Sequence, residues 1–382
     1  MLILCFSAFV CFGVVLVLAG ANQAEIAADL GLDLARSGLL VSTLAIGIGI
    51  GVVGAGPLFD RHARRPLFVG STLLAAAALI FVDANISYSR LLVHLIAIGV
   101  GIGAYDTLIN ALVIERFRDR AARPMTIVHA GATVGAMFGP ALAGFAITQL
   151  HWTASFHWTG YAHLALAAAA LAYPFPKPPA RLPTRPTSQK TRHLAFTPAM
   201  LPFAAIAFAY VGVEAAMTIF AVPYANGVLQ LSPDHGRLAI SAFWSGLLVG
   251  RIGSAASAKL LQPRLFIVAG LLGAACIVAG VVSKSAEVLV IFGLTGLAWG
   301  CVYPLMIALA GRQFPKTPGT ATGLAAGFGA AGGFAVPWLT GAIGDSWGVA
   351  TAVGSIAFWS VVVAAGGMAA ARLRPPPFED LR

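Results

Sequence analysis

The chain contains few charged residues. Asp, Glu, Lys and Arg make up only 10% of its 382 residues, whereas soluble globular proteins carry about 25%. Hydrophobic residues make up 59% of the sequence, and the mean hydropathy is +0.86. This composition excludes a soluble protein and indicates an integral membrane protein.

Cysteine is also scarce, and the motifs of several chemistries are missing. Cys5, Cys11, Cys276 and Cys301 lie in apolar stretches without metal-ligand spacing, so we interpret them as small buried hydrophobic residues. The glycine-rich strings GIGIGVVGAG (47–56) and GVGIG (99–103) are not phosphate-binding loops, because the Lys that follows the glycines of such a loop is missing. No nucleophile, base and orienting residue occur as a set. The sequence therefore predicts no metal, no cofactor, no ATP-driven pump and no enzyme.

Long apolar runs are what the sequence has in abundance. About 20 helical residues cross the roughly 30 Å hydrocarbon core of a bilayer, and backbone polar groups in lipid must be paired within the segment. The first run lacks the basic start of a signal peptide, so we interpret it as the first span. Twelve transmembrane helices are predicted, near 2–24, 38–58, 66–83, 90–114, 124–149, 157–175, 199–222, 237–256, 264–282, 286–310, 319–343 and 349–371.

The basic residues fall on one side of these predicted spans. Among the 24 Lys and Arg, only Arg36, Arg90, Arg237 and Lys284 fall on the other side, and Arg251 lies within a span. Because cytoplasmic loops are enriched in Lys and Arg, both termini are expected to be cytoplasmic, in a bacterial inner membrane. The net charge of +10 then reflects topology and contact with anionic lipid rather than nucleic-acid binding.

A basic, Pro-rich segment from Pro174 to His193 divides the chain. It predicts a cytoplasmic linker at 175–198 between an N-terminal half, 1–174, and a C-terminal half, 199–382. The halves repeat, because a shift of 197 positions aligns Gly103 with Gly300, Leu108 with Leu305, Gly135 with Gly332 and Pro140 with Pro337. We therefore predict an all-α membrane protein with two pseudo-symmetric six-helix halves, the architecture of a rocking secondary transporter.

The stretch GPLFDRHARRP (56–66) follows the second predicted span. It resembles the signature of the major facilitator superfamily between its second and third helices, although Ala63 replaces the usual second Gly. The resemblance implies that the loop belongs to an inner gate, at which Asp60 pairs with cations. The residues that match it are Gly56, Leu58, Asp60, Arg61, Arg64 and Arg65.

The second half carries a degenerate copy of this signature. Gly253 and Pro263 align with Gly56 and Pro66, but Ser257 replaces the Asp. Arg251 lies just inside this copy. It can reach the membrane surface, pair across the gate or bind substrate, and the sequence alone leaves all three open.

Several further stretches resemble the fucose permease branch of the superfamily, which consists of proton-coupled sugar symporters. They are NQAEI (22–26), GAYDTLIN (103–110), MTIVHAGATVGAMFGP (125–140), YVGVEAAMTIFAVPYA (210–225), FWSGLLVGRIG (243–253) and VYPLMIAL (302–309). The resemblance implies proton-coupling roles for Asp106 and Glu25, to which we add Glu214, where the permease has an uncharged Gln. The candidate solute contacts are Asn22, Asn110, His129, Tyr105, Trp299 and Tyr303.

A carboxylate inside a predicted span calls for a physical reason. Placing one at mid-membrane costs about 2.5–3.5 kcal/mol on insertion scales, so such residues usually face a wet cavity and serve transport. A group that is neutral in a dry cavity and charged in a wet one is what proton coupling requires. Structural roles stay open for each of these residues. Asp106 and Asn110 can form a hydrogen-bonded pair between helices, and Glu25 can face water at the end of its helix. His129 can be a neutral, hydrogen-bonded side chain, and the aromatic side chains can serve only in packing.

The sequence therefore predicts a transporter that moves a small polar solute, with a sugar as one candidate, by proton-coupled symport. GAMFGPALAG (135–144) also resembles the fifth-helix signature of drug and metabolite antiporters, so proton-driven export stays open. A third alternative is a transport-inactive sensor or lipid-moving protein. Solute and membrane lipids are the expected partners, and a monomer suffices to form the pathway.

Overall fold

A computed structural model of the chain describes residues 1–61, 64–117, 122–175, 197–255, 262–285, 287–314 and 318–373. The regular secondary structure in these ranges is entirely α-helical. The helices are α1 (Leu2–Ala21), α2 (Gln23–Leu30), α3 (Leu34–Arg61), α4 (Arg64–Ile80), α5 (Tyr88–Phe117), α6 (Ala122–Gln149), α7 (Thr153–Ala172), α8 (Leu201–Gly227), α9 (Pro233–Ala255), α10 (Arg264–Ser283), α11 (Val288–Trp299), α12 (Val302–Gln313), α13 (Pro318–Trp347) and α14 (Val349–Ala371).

These helices form the predicted twelve-span layout. Within the described ranges, nine segments are long and apolar enough to cross a membrane. One of them combines α11 and α12, and α4, α7 and α9 complete the twelve spans. Large apolar side chains such as Phe81, Phe138, Phe145 and Phe358 remain exposed, as expected for surfaces that face lipid.

The two halves pack in the same way, which gives the sequence repeat a structural meaning. In the first half α3 packs on α5, α1 on α6 and α4 on α7; in the second, α9 packs on α11, α8 on α13 and α10 on α14. A Cβ at Gly103 would lie 2.4 Å from the carbonyl oxygen of Ile48, and one at Gly300 would lie 2.5 Å from that of Leu247. Glycine at these aligned positions therefore permits the same close approach of two helices.

Two predicted spans are interrupted. The first span, predicted at 2–24, ends as a regular helix at Ala21, and α2 begins after Asn22. The tenth, predicted at 286–310, divides into α11 and α12 around Gly300 and Cys301. Pro304 lies in the first turn of α12, where its ring lacks an N–H and would clash with the carbonyl of Gly300 in a continuous helix.

We call the end of the bundle where α1 begins and α14 ends the terminal face, and the other end the far face. The two halves are closed against each other at the far face. A Cβ at Gly341 of α13 would lie 2.4 Å from the carbonyl oxygen of Leu34 of α3, and Ser42 Oγ donates to the carbonyl of Phe334 at 2.6 Å.

The same two helices separate toward the terminal face. A Cβ at Gly49 of α3 would reach α13 only at 3.9 Å, from the side chain of Ala330. Nearer the terminal face, Gly323 and Gly327 of α13 are exposed, and a Cβ at either would have no atom within 4 Å. The structure is therefore closed at the far face and opens toward the terminal face.

Candidate functional site

A chain of polar side chains lies in the middle of the first half. On α5, Asn110 Nδ2 donates to Asp106 Oδ1 at 3.0 Å, one helical turn away. His129 of α6 lies with its Nε2 2.9 Å from Asn110 Oδ1. Because an amide oxygen only accepts, the imidazole Nε2 must carry the proton in this bond. Asp106, Asn110 and His129, which we call the α5–α6 chain, therefore link a carboxylate to a titratable ring through one amide.

The second half supplies an ion pair at a similar depth. Arg251 of α9 donates through Nη2 to Tyr210 Oη at 2.9 Å and to Glu214 Oε1 at 3.3 Å. Tyr210 also donates to Glu214 Oε1 at 3.0 Å. Arg251 Nη1 donates to Thr133 Oγ1 of α6 at 2.6 Å, which joins the two halves. We call Arg251, Glu214, Tyr210 and Thr133 the arginine cluster.

The α5–α6 chain and the arginine cluster adjoin one another. Thr133 lies one helical turn from His129 on α6, and His129 is close enough to Arg251 to interact with it electrostatically. Tyr303 of α12 lies within electrostatic range of Asp106, Glu214 and Arg251, and its ring centre is 5.5 Å from that of Tyr210. The predicted Asp106, Asn110, His129, Glu214 and Tyr303 are thus brought together, with Arg251 beside them.

Several side chains of the α5–α6 chain and the arginine cluster are partly accessible, although Asp106 and Glu214 lie near the middle of their helices. Asp106, Asn110, His129, Glu214 and Tyr303 are all intermediate in exposure, and the Arg251 side chain is 20% exposed. A space between the halves therefore reaches both the α5–α6 chain and the arginine cluster. Since the far face is closed, this space opens toward the terminal face.

Three predicted solute contacts are buried in helix packing in this conformation. Asn22 Nδ2 donates to the carbonyl of Leu18 and to Ser155 Oγ. Tyr105 Oη donates to the carbonyl of Ala8 at 3.2 Å, and its ring is fully buried. Trp299 is also fully buried and stacks on Tyr210 at 5.5 Å. Their roles as solute contacts therefore stay predictions, and Trp299 adjoins the arginine cluster through its stacking on Tyr210.

Glu25 lies at the far face rather than in the central space. Arg237 of α9 pairs with Glu25 of α2 and donates through Nε to the carbonyl of Ala21 at 2.9 Å. A further bond of 2.7 Å joins Arg237 to Asp234. The Arg237 side chain is only 7% exposed. Glu25 thus takes part in a charged contact between the halves, and proton coupling by Glu25 stays a prediction.

The gate residues are described only in part. The side chains of Gly56, Leu58, Asp60 and Arg61 lie outside the described residues. Arg64 is 3% exposed and donates to Glu115 Oε1 of α5 at 2.7 Å, and Arg65 donates to the carbonyl of Tyr173 at 2.8 Å. These two arginines hold the start of α4 against α5 and the end of α7.

Sequence reasoning missed four residues that the structure brings to these contacts: Thr133, Tyr210, Arg237 and Asp345. The carboxylate of Asp345 on α13 accepts from the backbone N–H groups of Leu34 and Ala35 at 2.9 Å each, so it caps α3 from the other half of the protein. A buried Arg needs a counter-charge, so Arg251 in a span was a signal that an acid such as Glu214 lies beside it.

Comparison with known proteins agrees with this architecture. The family model described as the Major Facilitator Superfamily matches residues 4–293. In overall structure the chain is similar to a D-xylose–proton symporter, with a TM-score of 0.79 over 98% of this chain and 97% of that one. The sequence identity is 16%, so this likeness concerns the fold alone.

Curated relatives match shorter parts of the chain. A 3-(3-hydroxy-phenyl)propionate transporter of Escherichia coli (strain K12) is 31% identical over 166 residues, which cover 41% of this chain and 39% of that protein. The sodium-dependent glucose transporter 1A of Mus musculus is 25% identical over 142 residues, which cover 37% of this chain and 33% of that protein. The aligned part of the chain thus spans about a third to two-fifths of the length of these relatives.

Proposed function

Because this chain belongs to the Major Facilitator Superfamily, we propose that it moves a small polar solute together with protons by alternating access, as a symporter. It is a multi-pass membrane transporter and not an enzyme. The names of the two relatives give glucose and 3-(3-hydroxy-phenyl)propionate as their solutes, and both are small polar molecules. A sugar is one candidate solute, and the narrower resemblance to the fucose permease branch stays a prediction.

The observation that carries the proposal is the position of the α5–α6 chain. Asp106 lies near the middle of a membrane-spanning helix, is partly accessible and is hydrogen-bonded to Asn110. An ionisable residue at such a depth usually serves transport. It faces a space between the halves that is closed on one side, so opening and closing of the halves changes its contact with water.

The orientation of the chain is part of the proposal. Arg36, Arg90 and Arg237 belong to segments at the far face, whereas the helix ends toward the terminal face carry the larger described set, Arg64, Arg65, Arg116, Arg264, Arg312 and Arg372. By the positive-inside rule the terminal face is cytoplasmic, in a bacterial inner membrane, and the structure faces inward. The single chain supplies both halves and the space between them, so we propose that it works as a monomer.

The contacts suggest an order of events. With the far face open, Asp106 and Glu214 take up protons and the solute binds to polar groups such as Asn110, His129 and Tyr303. Neutral carboxyl groups cost less in an occluded site than charged ones. Closure of the far face through Arg237 and Asp345 then exposes the site to the terminal face, where proton and solute leave. The proton is the only coupling ion in this scheme, and no cofactor takes part.

The proposal is tested with purified protein in liposomes that contain a pH-sensitive dye. Sugars, carboxylic acids and amphipathic drugs are added outside one at a time, and protein-free liposomes serve as the control. Symport predicts that one solute class acidifies the interior as it enters. Alkalinisation on addition of a solute would instead show proton-driven antiport, and no proton movement with any solute would contradict both.

A further inference from the structure

We infer that the transported solute carries a carboxylate, and that Arg251 binds it when a proton on Glu214 releases the guanidinium. This inference rests on the proposed function and names the substrate class of the same site. It assigns Arg251 to solute recognition rather than to the gate.

The first step of the argument is the charge that Arg251 brings into the bundle. A guanidinium is always protonated in proteins, and in a membrane interior it needs a counter-charge. The ion pair that Arg251 makes among the described residues is with Glu214, at 3.3 Å. When Glu214 is protonated, as in the order of events proposed above, this pair is lost and Arg251 needs another anion.

The second step is that Glu214 satisfies Arg251 incompletely. A bidentate Arg–carboxylate pair makes two parallel bonds of about 2.7–2.9 Å, but here Glu214 accepts from one nitrogen only and at 3.3 Å. The Nε–H of Arg251 is buried and has no partner among the described residues. The guanidinium therefore has donor capacity to accept a second carboxylate.

The third step concerns the other charged and titratable groups around the pair. Tyr210 faces it from α8, Tyr303 from α12 and His129 from α6, and these three are neutral or cationic. Asp106 of α5 is the remaining acid nearby, and its bond is to Asn110. None of these groups replaces Glu214 as the direct partner of Arg251, so an anionic solute is the group that completes the site.

The fourth step links binding to movement of the halves. Arg251 already spans them, because it donates to Thr133 of the first half at 2.6 Å. A carboxylate held by Arg251 would lie beside Thr133 and His129, between the halves. The proton on Glu214 and the carboxylate on Arg251 cancel each other in charge, so together they add no net charge to the occluded site.

The test uses pairs of solutes that differ in the acid group: gluconate with glucose, lactate with lactamide, and benzoate with benzamide. Binding is followed as the thermal unfolding midpoint of the purified protein at increasing concentration, and transport as proton entry into dye-loaded liposomes. The acid of at least one pair should raise the midpoint and drive proton entry, and its neutral partner at the same concentration should do neither.

Variants assign the effect to Arg251. Glu214→Gln resembles the protonated acid, so it should bind the acid at least as tightly as the parent but lose acid-driven proton entry. In the Arg251→Gln/Glu214→Gln double variant no charge is left unpaired, so the fold should be kept, and the half-saturating concentration should rise at least tenfold over Glu214→Gln. Arg116→Gln, an exposed Arg at the end of α5, serves as the control and should bind like the parent.

The outcomes separate the inference from the proposed function. If neutral solutes bind and drive proton entry as well as their acids, or if the double variant keeps the affinity of Glu214→Gln, the inference is wrong and symport stands. If no solute produces binding or proton movement, the inference and the proposed function both fail.

Discussion

Replacing Asp345 by Ala is expected to open the far face of the protein more often. The Asp345 carboxylate accepts two hydrogen bonds from the first backbone N–H groups of α3, and these bonds cross from one half to the other. They exist only while the halves are closed at this face. Removing them therefore destabilises the closed arrangement and leaves the helices of each half unchanged.

The magnitude follows from helix capping. Loss of a capping side chain typically costs about 0.5–2 kcal/mol, which changes a population ratio about 2- to 30-fold. The fraction of molecules open at the far face should rise by that factor in Asp345→Ala. Asp345→Asn should have a smaller effect, because its amide oxygen still accepts one bond.

A cysteine at Ser42 reports this opening. Ser42 is fully buried between α3 and α13, so Ser42→Cys should react with a membrane-impermeant maleimide only while the far face is open. The reporter is placed in a variant without the four native cysteines. Asp345→Ala should raise the labelling rate about 2- to 30-fold. Asp83→Asn, at an exposed acid that pairs with Arg90 within the first half, should leave the rate unchanged. Equal labelling rates in Asp345→Ala and the parent would refute the reasoning.

Three further predictions concern helix packing, the ion pair of α2 and the α5–α6 chain. Gly135→Ala places a Cβ 2.0 Å from the carbonyl oxygen of Val10 and should lower the free energy of unfolding by about 1–3 kcal/mol. Thermal unfolding checks this against Gly253→Ala, whose added Cβ has no atom within 4 Å and which should be neutral or stabilising. Arg237→Gln removes the ion pair that holds α2, so mass-spectrometric amide exchange in α2 should become at least about tenfold faster, and unchanged exchange would mean that the pair contributes nothing. His129→Gln keeps a donor for Asn110 and should retain transport, whereas His129→Ala should lower it about tenfold; equal losses would show that the ring itself is required.

Much of the fold follows from local properties of the sequence. Apolar runs of about 20 residues predicted the spans because bilayer thickness fixes their length. The repeat was visible because Gly135 and Gly332 make the same close helix contact, to the carbonyls of Val10 and Phe208 respectively. The break before α12 also had a local signal in Pro304, which the hydropathy pattern alone does not show.

Contacts between distant residues could not be predicted in this way. The pairing of Arg237 with Glu25 joins residues 212 positions apart, and no periodicity of either helix specifies it. Arg251 could be placed in a span from the sequence, but its bonds to Glu214 and Thr133 depend on how the two halves meet. Charges in spans show that a partner must exist, and the three-dimensional packing decides which residue it is.

The most direct test of proton coupling compares the parent with Asp106→Asn in two assays on the same liposomes. One measures exchange of labelled solute at equal pH on both sides, and the other measures net solute entry driven by a pH gradient. Asn cannot bind and release a proton but has nearly the same shape as Asp, so exchange should persist while gradient-driven entry falls to the level of protein-free liposomes. Full gradient-driven entry in Asp106→Asn would contradict a coupling role for Asp106 and leave Glu214 or Glu25 to carry the proton.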